Sequence, residues 1–355
     1  MKNLLFWGFL LSVVAVRVVS DRPDLPEGKT VKITGTVIQE PVVYSYYQKI
    51  NLNGVKIFLE KYPEVTYGDK ISVIGEITNG ELNKPKLDFL DRKVLPFSTV
   101  RQKIISFFQQ TFPEPHASLI AGTVLGSRGV STGSFWEEIK KVGVAHVVVA
   151  SGMNVTLVSG FLLSLLLLVI SRRKAVILAA ISIWGYVLLS GFDAPLVRAA
   201  IMGSTVFLGQ FLGRVVSTLR ILLITSLIML IIFPQWIIDL GFILSFVATF
   251  SLILFQPKVQ RYFSFLPGFL KEGLVTSIAA QIGVAPIIFV TFGRFSLLSP
   301  LTNALVLWTV GPMMVIGMLS GLLGLVWPAL GKILLYLSYP LTAWFIAIVR
   351  LFSQI

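Results

Sequence analysis

Apolar and polar positions divide the 355 residues into three unlike stretches. Residues 4–19 form an apolar run broken by Arg17 and preceded by Met1-Lys2-Asn3. No small-residue cleavage site follows, so the run reads as an uncleaved signal anchor, and Lys2 favours a cytoplasmic N-terminus. Over residues 21–98 the pattern shortens to a period of two, in the segments 31–38, 42–47, 55–59 and 71–77. Asn53-Gly54, Tyr67-Gly68-Asp69 and Asn79-Gly80 separate them as turn signals. About five short strands of this kind predict a small closed or partly closed β-barrel, with the OB-fold as the best match.

From residue 99 the apolar runs lengthen. Residues 100–112 carry apolar side chains at helical spacing with one polar face, which fits an interfacial helix. Residues 117–125 are apolar but too few to cross a bilayer, and so are expected to be re-entrant or buried against protein. Spans are then predicted at 143–170, 174–191, 196–212, 217–233, 236–255, 274–291, 300–326 and 332–352. The fold class is therefore an α-helical polytopic membrane protein with an inserted small all-β OB-like domain. Its parts are an N-terminal transmembrane anchor (1–20), an extracytoplasmic OB-like domain (21–98) and a multi-helix transmembrane domain (99–355).

Composition supports the membrane class: 55% of the chain is hydrophobic, 13% is charged, and mean hydropathy is +0.84. The net charge of +13 resembles a nucleic-acid signal until it is located. Residues 21–94 hold 11 basic and 11 acidic side chains, so the whole excess lies elsewhere. Arg172-Arg173-Lys174, Arg214 and the 258–271 stretch fall on alternate loops, which are cytoplasmic if the β-domain lies outside. The absence of cysteine excludes disulfides, Cys-ligated zinc and thiolate catalysis, and the two histidines, His116 and His146, make a His-rich metal centre improbable. No cofactor is expected. No Walker A pattern occurs, so directional movement would need an external motor or a gradient.

Four constellations interrupt the apolar segments, where polar and helix-breaking residues cost free energy and mark pathways, helix contacts or broken helices. The run 143–154 carries His146, Ser151, Gly152 and Asn154; a broken helix and a tight packing contact both fit it. Asp193 and Arg198 stand at the mouth of a span, where the arginine needs a partner, a wet cavity or a phosphate, or forms a structural ion pair with Asp193. The third constellation holds Asp239 and Ser245. The fourth runs from Gln281 through Pro286 to Arg294, Ser299 and Asn303, and Pro286 argues for a kinked or broken helix. Gly311-Pro312 is a further candidate break.

In this order, the four constellations together with the Tyr67-Gly68-Asp69 turn, the 122–126 segment and Gly213-Arg214 resemble the ComEC family of bacterial competence proteins. The resemblance spans roughly residues 31–303. It implies passage of single-stranded DNA across the cytoplasmic membrane during natural transformation, by a multi-pass protein of that inner membrane that is not an enzyme. It also implies as partners membrane lipid, an extracytoplasmic DNA receptor, a cytoplasmic helicase-like motor or DNA-binding protein, a separate nuclease, and a second copy of the chain as an open option. Two departures are visible: many members have histidine where this chain has Asn154, and the metallo-β-lactamase-like domain often found in the family would need an H-x-H-x-D-H cluster that this sequence lacks. The expectation is a short form acting as the channel component alone.

Ser151, Gly152, Asn154, Asp193, Arg198, Asp239, Ser245, Arg294, Ser299 and Asn303 are the candidate path-lining or gating residues, with Lys140 and Lys141 as further cations to test. Tyr44, Tyr46, Tyr47, Phe58, Tyr62 and Tyr67 could stack bases, or could be barrel core and surface. Two other readings remain. A transporter or channel for another solute suits broken helices and an external domain equally well. An intramembrane serine hydrolase using Ser151 is remote, because His146 would lie about 140° away on a shared helix.

Overall fold

The computed structural model describes residues 12–17, 28–44, 46–52, 54–78, 81–83, 85–92, 95–127, 134–149, 151–214, 217–293 and 296–354. A short helical stretch, α1 (residues 12–17), precedes seven strands. These are β1 (Thr30–Thr36), β2 (Val42–Val43), β3 (Tyr47–Leu52), β4 (Val55–Glu60), β5 (Lys70–Thr78), β6 (Glu81–Asn83) and β7 (Lys86–Asp91). The long strand β5 organises the sheet. One edge pairs antiparallel with β1, from Thr30 opposite Glu76 to Thr36 opposite Lys70. The other takes β7, with an irregularity between Ser72 and Val73, and then β6. β6 runs parallel to β4, and β4, β3 and β2 complete the antiparallel remainder.

The period of two decides the inside of this sheet. Ile50, Leu52, Val55, Ile57 and Leu59 point inward with Ile71, Val73, Ile77 and Leu82 to form one core. Gln48 shares that inward register yet is buried without penalty: its amide donates to Glu60 O and Pro63 O, both at 2.8 Å, and accepts from Val65 N–H at 2.9 Å. This small mixed sheet is consistent with the expected OB-like domain, with two strands more than expected. Gly54 and Gly68 adopt φ of 84° and 90°, as the turn signals require.

Thirteen α-helices follow the strands in the described residues. They are α2 (Pro96–Thr111), α3 (His116–Leu125), α4 (Ser134–Val142), α5 (Ala145–Val148), α6 (Gly152–Leu167), α7 (Arg172–Ser190), α8 (Ala194–Phe211), α9 (Thr218–Ile232), α10 (Leu240–Tyr262), α11 (Gly268–Phe292), α12 (Ser299–Val326), α13 (Pro328–Tyr336) and α14 (Tyr339–Ser353). Four helices are long and apolar enough to cross a bilayer: α7, α10, α11 from Leu270, and α12. The pair α13 and α14, bent by 46°, makes a fifth if it forms one span. Helices α6 and α9 are apolar but only 16 and 15 residues long. The chain is a multi-pass protein of the cell membrane.

Four expected spans differ from the pattern read in the sequence. The 143–170 run is divided, because α5 ends at Val148 and α6 begins at Gly152, with Ser151 extended between them. The 332–352 run bends between α13 and α14. Conversely, α11 continues through Pro286 and α12 through Gly311-Pro312, so neither is broken. Proline removes one helical donor, but neighbouring helices in a membrane bundle can absorb that loss. The 117–125 segment is α3, buried against protein, with Ala117, Leu119, Ile120, Ala121, Val124 and Leu125 all at most 2% exposed.

Candidate functional site

The site is assembled around the C-terminal ends of α3 and α7. A helix end leaves its last carbonyls without partners, and a buried end must find them elsewhere. At α3, Gly126 and Ser127 N–H groups donate to Gly122 O and Ala121 O. Side chains from three other elements serve the next three carbonyls. Asn154 Nδ2 donates to Thr123 O at 2.9 Å, the Tyr186 hydroxyl to Val124 O at 2.9 Å, and Arg101 Nη1 to Leu125 O. At α7 the Tyr67 hydroxyl donates to Leu188 O at 2.7 Å, and Arg101 also reaches Leu189 O at 3.0 Å. Arg101 completes its set with Glu40 at 2.9 Å, a nearly buried ion pair between α2 and the segment after β1.

These contacts seat the β-domain on one end of the bundle. Phe192 N–H donates to Ile38 O at 3.1 Å, and the turn at Gly54 lies against Gln235 in the 3-10 turn Pro234–Ile238. Burial raises the Tyr67 pKa above its ordinary value, partly offset by the Arg101 charge, so the phenol stays a donor. Tyr67 is 3% exposed, which removes it from the set of stacking platforms.

At the same end, the start of α6 meets α8. Ser151 is the N-cap of α6 but gives no side-chain cap; its hydroxyl donates instead to Asn154 Oδ1 at 3.1 Å. Arg198 lies on the second turn of α8, 9% exposed, with Nε donating to Ser245 Oγ at 2.7 Å and Nη1 directed at Met202 Sδ at 3.4 Å. Its guanidinium carbon stands 5.8 Å from the Phe246 ring centroid. The remaining nitrogen, Nη2, is so near Gly152 that a Cβ there would fall 2.6 Å away. Among the described residues no carboxylate pairs with Arg198. The Asp193–Arg198 ion pair, one of the alternatives the sequence left open, is therefore not formed. Asp239 caps α10 by accepting from Phe242 N–H at 2.8 Å, and a Cβ at Gly241 would fall 3.0 Å from that carboxylate and 3.7 Å from Pro195 Cδ.

The sequence candidates thus fall into two groups. Ser151, Gly152, Asn154, Arg198 and Ser245 come together, with Asp193 and Asp239 as flanking N-caps. Ser299 and Asn303 form a second group: Ser299 Oγ donates to Gly143 O at 3.0 Å, and Asn303 Nδ2 donates to Ser277 Oγ at 2.7 Å and Ser299 Oγ at 3.2 Å. Arg294 lies outside the described residues. Lys140 pairs with Glu137 at 2.6 Å and Lys141 reaches Ser353 O, so both are engaged at the surface. Thr123, Tyr186, Arg101, Glu40 and Ser277 were not singled out in the sequence. Ser151 bonds Asn154 and no histidine among the described residues, which gives no relay for a hydrolase.

A family model described as competence protein matches residues 123–355, a stretch that includes every helix of this site from the end of α3 onward. The chain belongs to the competence protein family. ComE operon protein 3 of Bacillus subtilis (strain 168) is 29% identical over 208 residues, covering 58% of this chain and 26% of that protein. The competence-family chain therefore spans about a quarter of the length of the curated relative it matches. No solved structure matches it. Within the family match lie Ser151, Gly152, Asn154, Asp193, Arg198, Asp239, Ser245, Ser299 and Asn303, whereas the β-domain and Arg101 precede it.

Proposed function

We propose that this competence-family protein passes single-stranded DNA across the cytoplasmic membrane during natural transformation, as a transporter that performs no covalent chemistry. The observation that carries the reading is the outer face of β2–β3–β4. Tyr44 and Tyr47 rings stack at 4.5 Å, and Phe58 follows Tyr47 at 5.8 Å. Lys49 Nζ stands 5.8 Å from the Phe58 centroid, while Lys61 lies over the ring of the largely exposed Tyr62. Tyr46 is 88% exposed. Register explains the face: Lys49 is directly opposite Phe58, and Tyr47 is two residues from Lys49, so all three project away from the Ile50, Leu52 and Ile57 core. Aromatic rings interleaved with ammonium groups suit unpaired bases and their phosphates, and accept any sequence.

Single strands carry a charge at each nucleotide, so the membrane part must offer cations or backbone donors. Arg198 supplies the former. The reading includes extracytoplasmic placement of residues 21–98, Ser299 and Asn303 as path or gating residues, an extracytoplasmic DNA receptor and a cytoplasmic helicase-like motor or DNA-binding protein. Its test is uptake of labelled DNA into a nuclease-protected cytoplasmic pool, with surface-bound DNA counted separately. Deletion should abolish the protected pool while leaving surface binding intact, and complementation should restore it. Unchanged uptake in a demonstrably competent parent would sink the reading and turn attention to another solute.

A further inference from the structure

Helices α6, α8 and α10 begin at the β-domain end of the bundle, and of the three only α10 has a side-chain N-cap bond among the described residues. Asp239 caps α10 with its own carboxylate, so that positive helix end is already answered. The N-terminus of the 16-residue α6 is not: Ser151 turns its hydroxyl to Asn154, Asn154 N–H donates to Ser151 O at 3.1 Å, and among the described residues no side chain caps the N–H groups of Gly152 and Met153. A second, independent feature faces the same point. Arg198 is nine-tenths buried, its Nη2 carries no hydrogen bond to a described residue, and it is directed at Gly152. A cation with no carboxylate is costly in an apolar surrounding and would repel a helix N-terminus. Both costs become gains if one anion meets the guanidinium and the start of the helix together. Gly152 and Ser151 are only half-buried, and the missing Cβ at Gly152 is what lets Nη2 lie against the start of α6.

We infer that the Arg198 guanidinium and the uncapped first turn of α6 form a seat for one phosphodiester group, the guanidinium and the adjoining backbone N–H groups donating to it side by side. This rests on the single-strand reading for its ligand. Ser245 and Phe246 act as positioning residues: Ser245 fixes Nε by its hydrogen bond, and the Phe246 ring stabilises the guanidinium from one side. A phospholipid headgroup offers the same chemistry, so the test must separate the two sources.

The full chain in phosphate-free maltoside micelles would be titrated with a labelled oligothymidylate over a series of salt concentrations, following anisotropy. Arg198→Gln should weaken binding about tenfold and reduce the steepness of the log–log salt dependence by about 0.7, the value of one single-strand phosphate contact. Arg198→Lys should restore the slope, because the charge remains. A probe that needs no variant is the same strand with neutral methylphosphonate linkages, which should lose the Arg198-dependent part of its affinity to the parent. Equal affinity and slope for parent and Arg198→Gln, or no binding of the strand to the parent, would overturn the seat. If phosphatidylglycerol added to the micelles displaces the strand in an Arg198-dependent way, the seat is a headgroup site and its assignment to the strand is overturned. The uptake assay stays independent. Normal DNA uptake with an unchanged slope removes the seat and keeps the transport reading, whereas Arg198-dependent binding without uptake keeps the seat and removes that reading.

Discussion

Gly152 is the residue at which the two halves of the candidate site touch. An added Cβ would lie 2.6 Å from Arg198 Nη2 and 3.4 Å from Ala199 Cβ. The first neighbour is the far end of a flexible side chain, so Gly152→Ala should move the guanidinium rather than unfold the bundle. The first helical position tolerates alanine well, and the stability change should stay within about 1 kcal/mol by thermal unfolding. Uptake into the protected pool should nevertheless fall about tenfold, as expected when one charge-assisted contact is displaced. A normally inserted Gly152→Ala protein with parental uptake would detach this contact from function. The sequence already pointed to Gly152, Arg198 and Ser245, because an arginine and a serine within apolar runs are conspicuous. It did not point to Arg101, Tyr186 or Thr123. Their partners are backbone carbonyls or amides 24 to 88 residues away, and nothing about a carbonyl at a helix end is written in the local pattern.

Elements were legible to the extent that burial followed a simple period. Strands β1, β4 and β5 match the alternating segments and the 42–47 segment holds β2, but β3 lies almost wholly beyond it, β6 has only three residues with one inward leucine, and β7 is disturbed by the irregularity opposite β5. Helix breaks were the less legible feature. Proline suggested breaks in α11 and α12, yet both helices run through it; of the actual breaks, the one between α5 and α6 is flanked by no proline, while the one between α13 and α14 is followed at once by Pro340, the second residue of α14. What α12 does show is a series of glycines matched to neighbouring helices. Gly317 receives Val124 and Ile120 of α3, Gly321 receives Ile104 and Phe108 of α2, and Gly324 receives the Phe107 ring. Small residues let helices approach closely when lipid supplies no hydrophobic drive between them. Gly321→Val would place its Cβ 2.7 Å from Ile104 Cγ2 and 3.2 Å from Phe108 Cζ, both fully packed. The expected loss is about 1–3 kcal/mol, read as a lowered unfolding midpoint in micelles. Phe108→Leu in the same chain should recover part of it, since neighbouring substitutions couple. A loss equal in the single and double variants would mean that the glycine is not there for this contact.

At the scale of the whole molecule, the β-domain is held by groups that complete helix ends, so docking and helix termination are one event. Tyr67 is the clearest case: its ring lies 5.6 Å from the Arg101 guanidinium carbon, and its hydroxyl supplies Leu188 O of α7. Tyr67→Phe should cost about 1–3 kcal/mol, because the carbonyl then loses its partner inside the interface. Titration gives an independent check with a definite sign. Burial raises the Tyr67 pKa above its ordinary value of 10.0, with Arg101 opposing and Glu40 adding to the rise. The folded protein therefore holds this proton more tightly than the unfolded chain does. Below pH 10 both states are protonated and the contribution is fully present. As pH rises past 10 the unfolded state releases its proton first, and stability falls until the folded pKa is passed. Unfolding midpoints measured from pH 8 upward should thus be level at first and then decline above pH 10, more steeply for the parent than for Tyr67→Phe, which has no phenol to ionise there. Parallel declines in the two proteins would show that the Tyr67 proton is not what couples the β-domain to the end of α7, and the nearly buried Arg101–Glu40 pair would then be left as the principal polar tie between them.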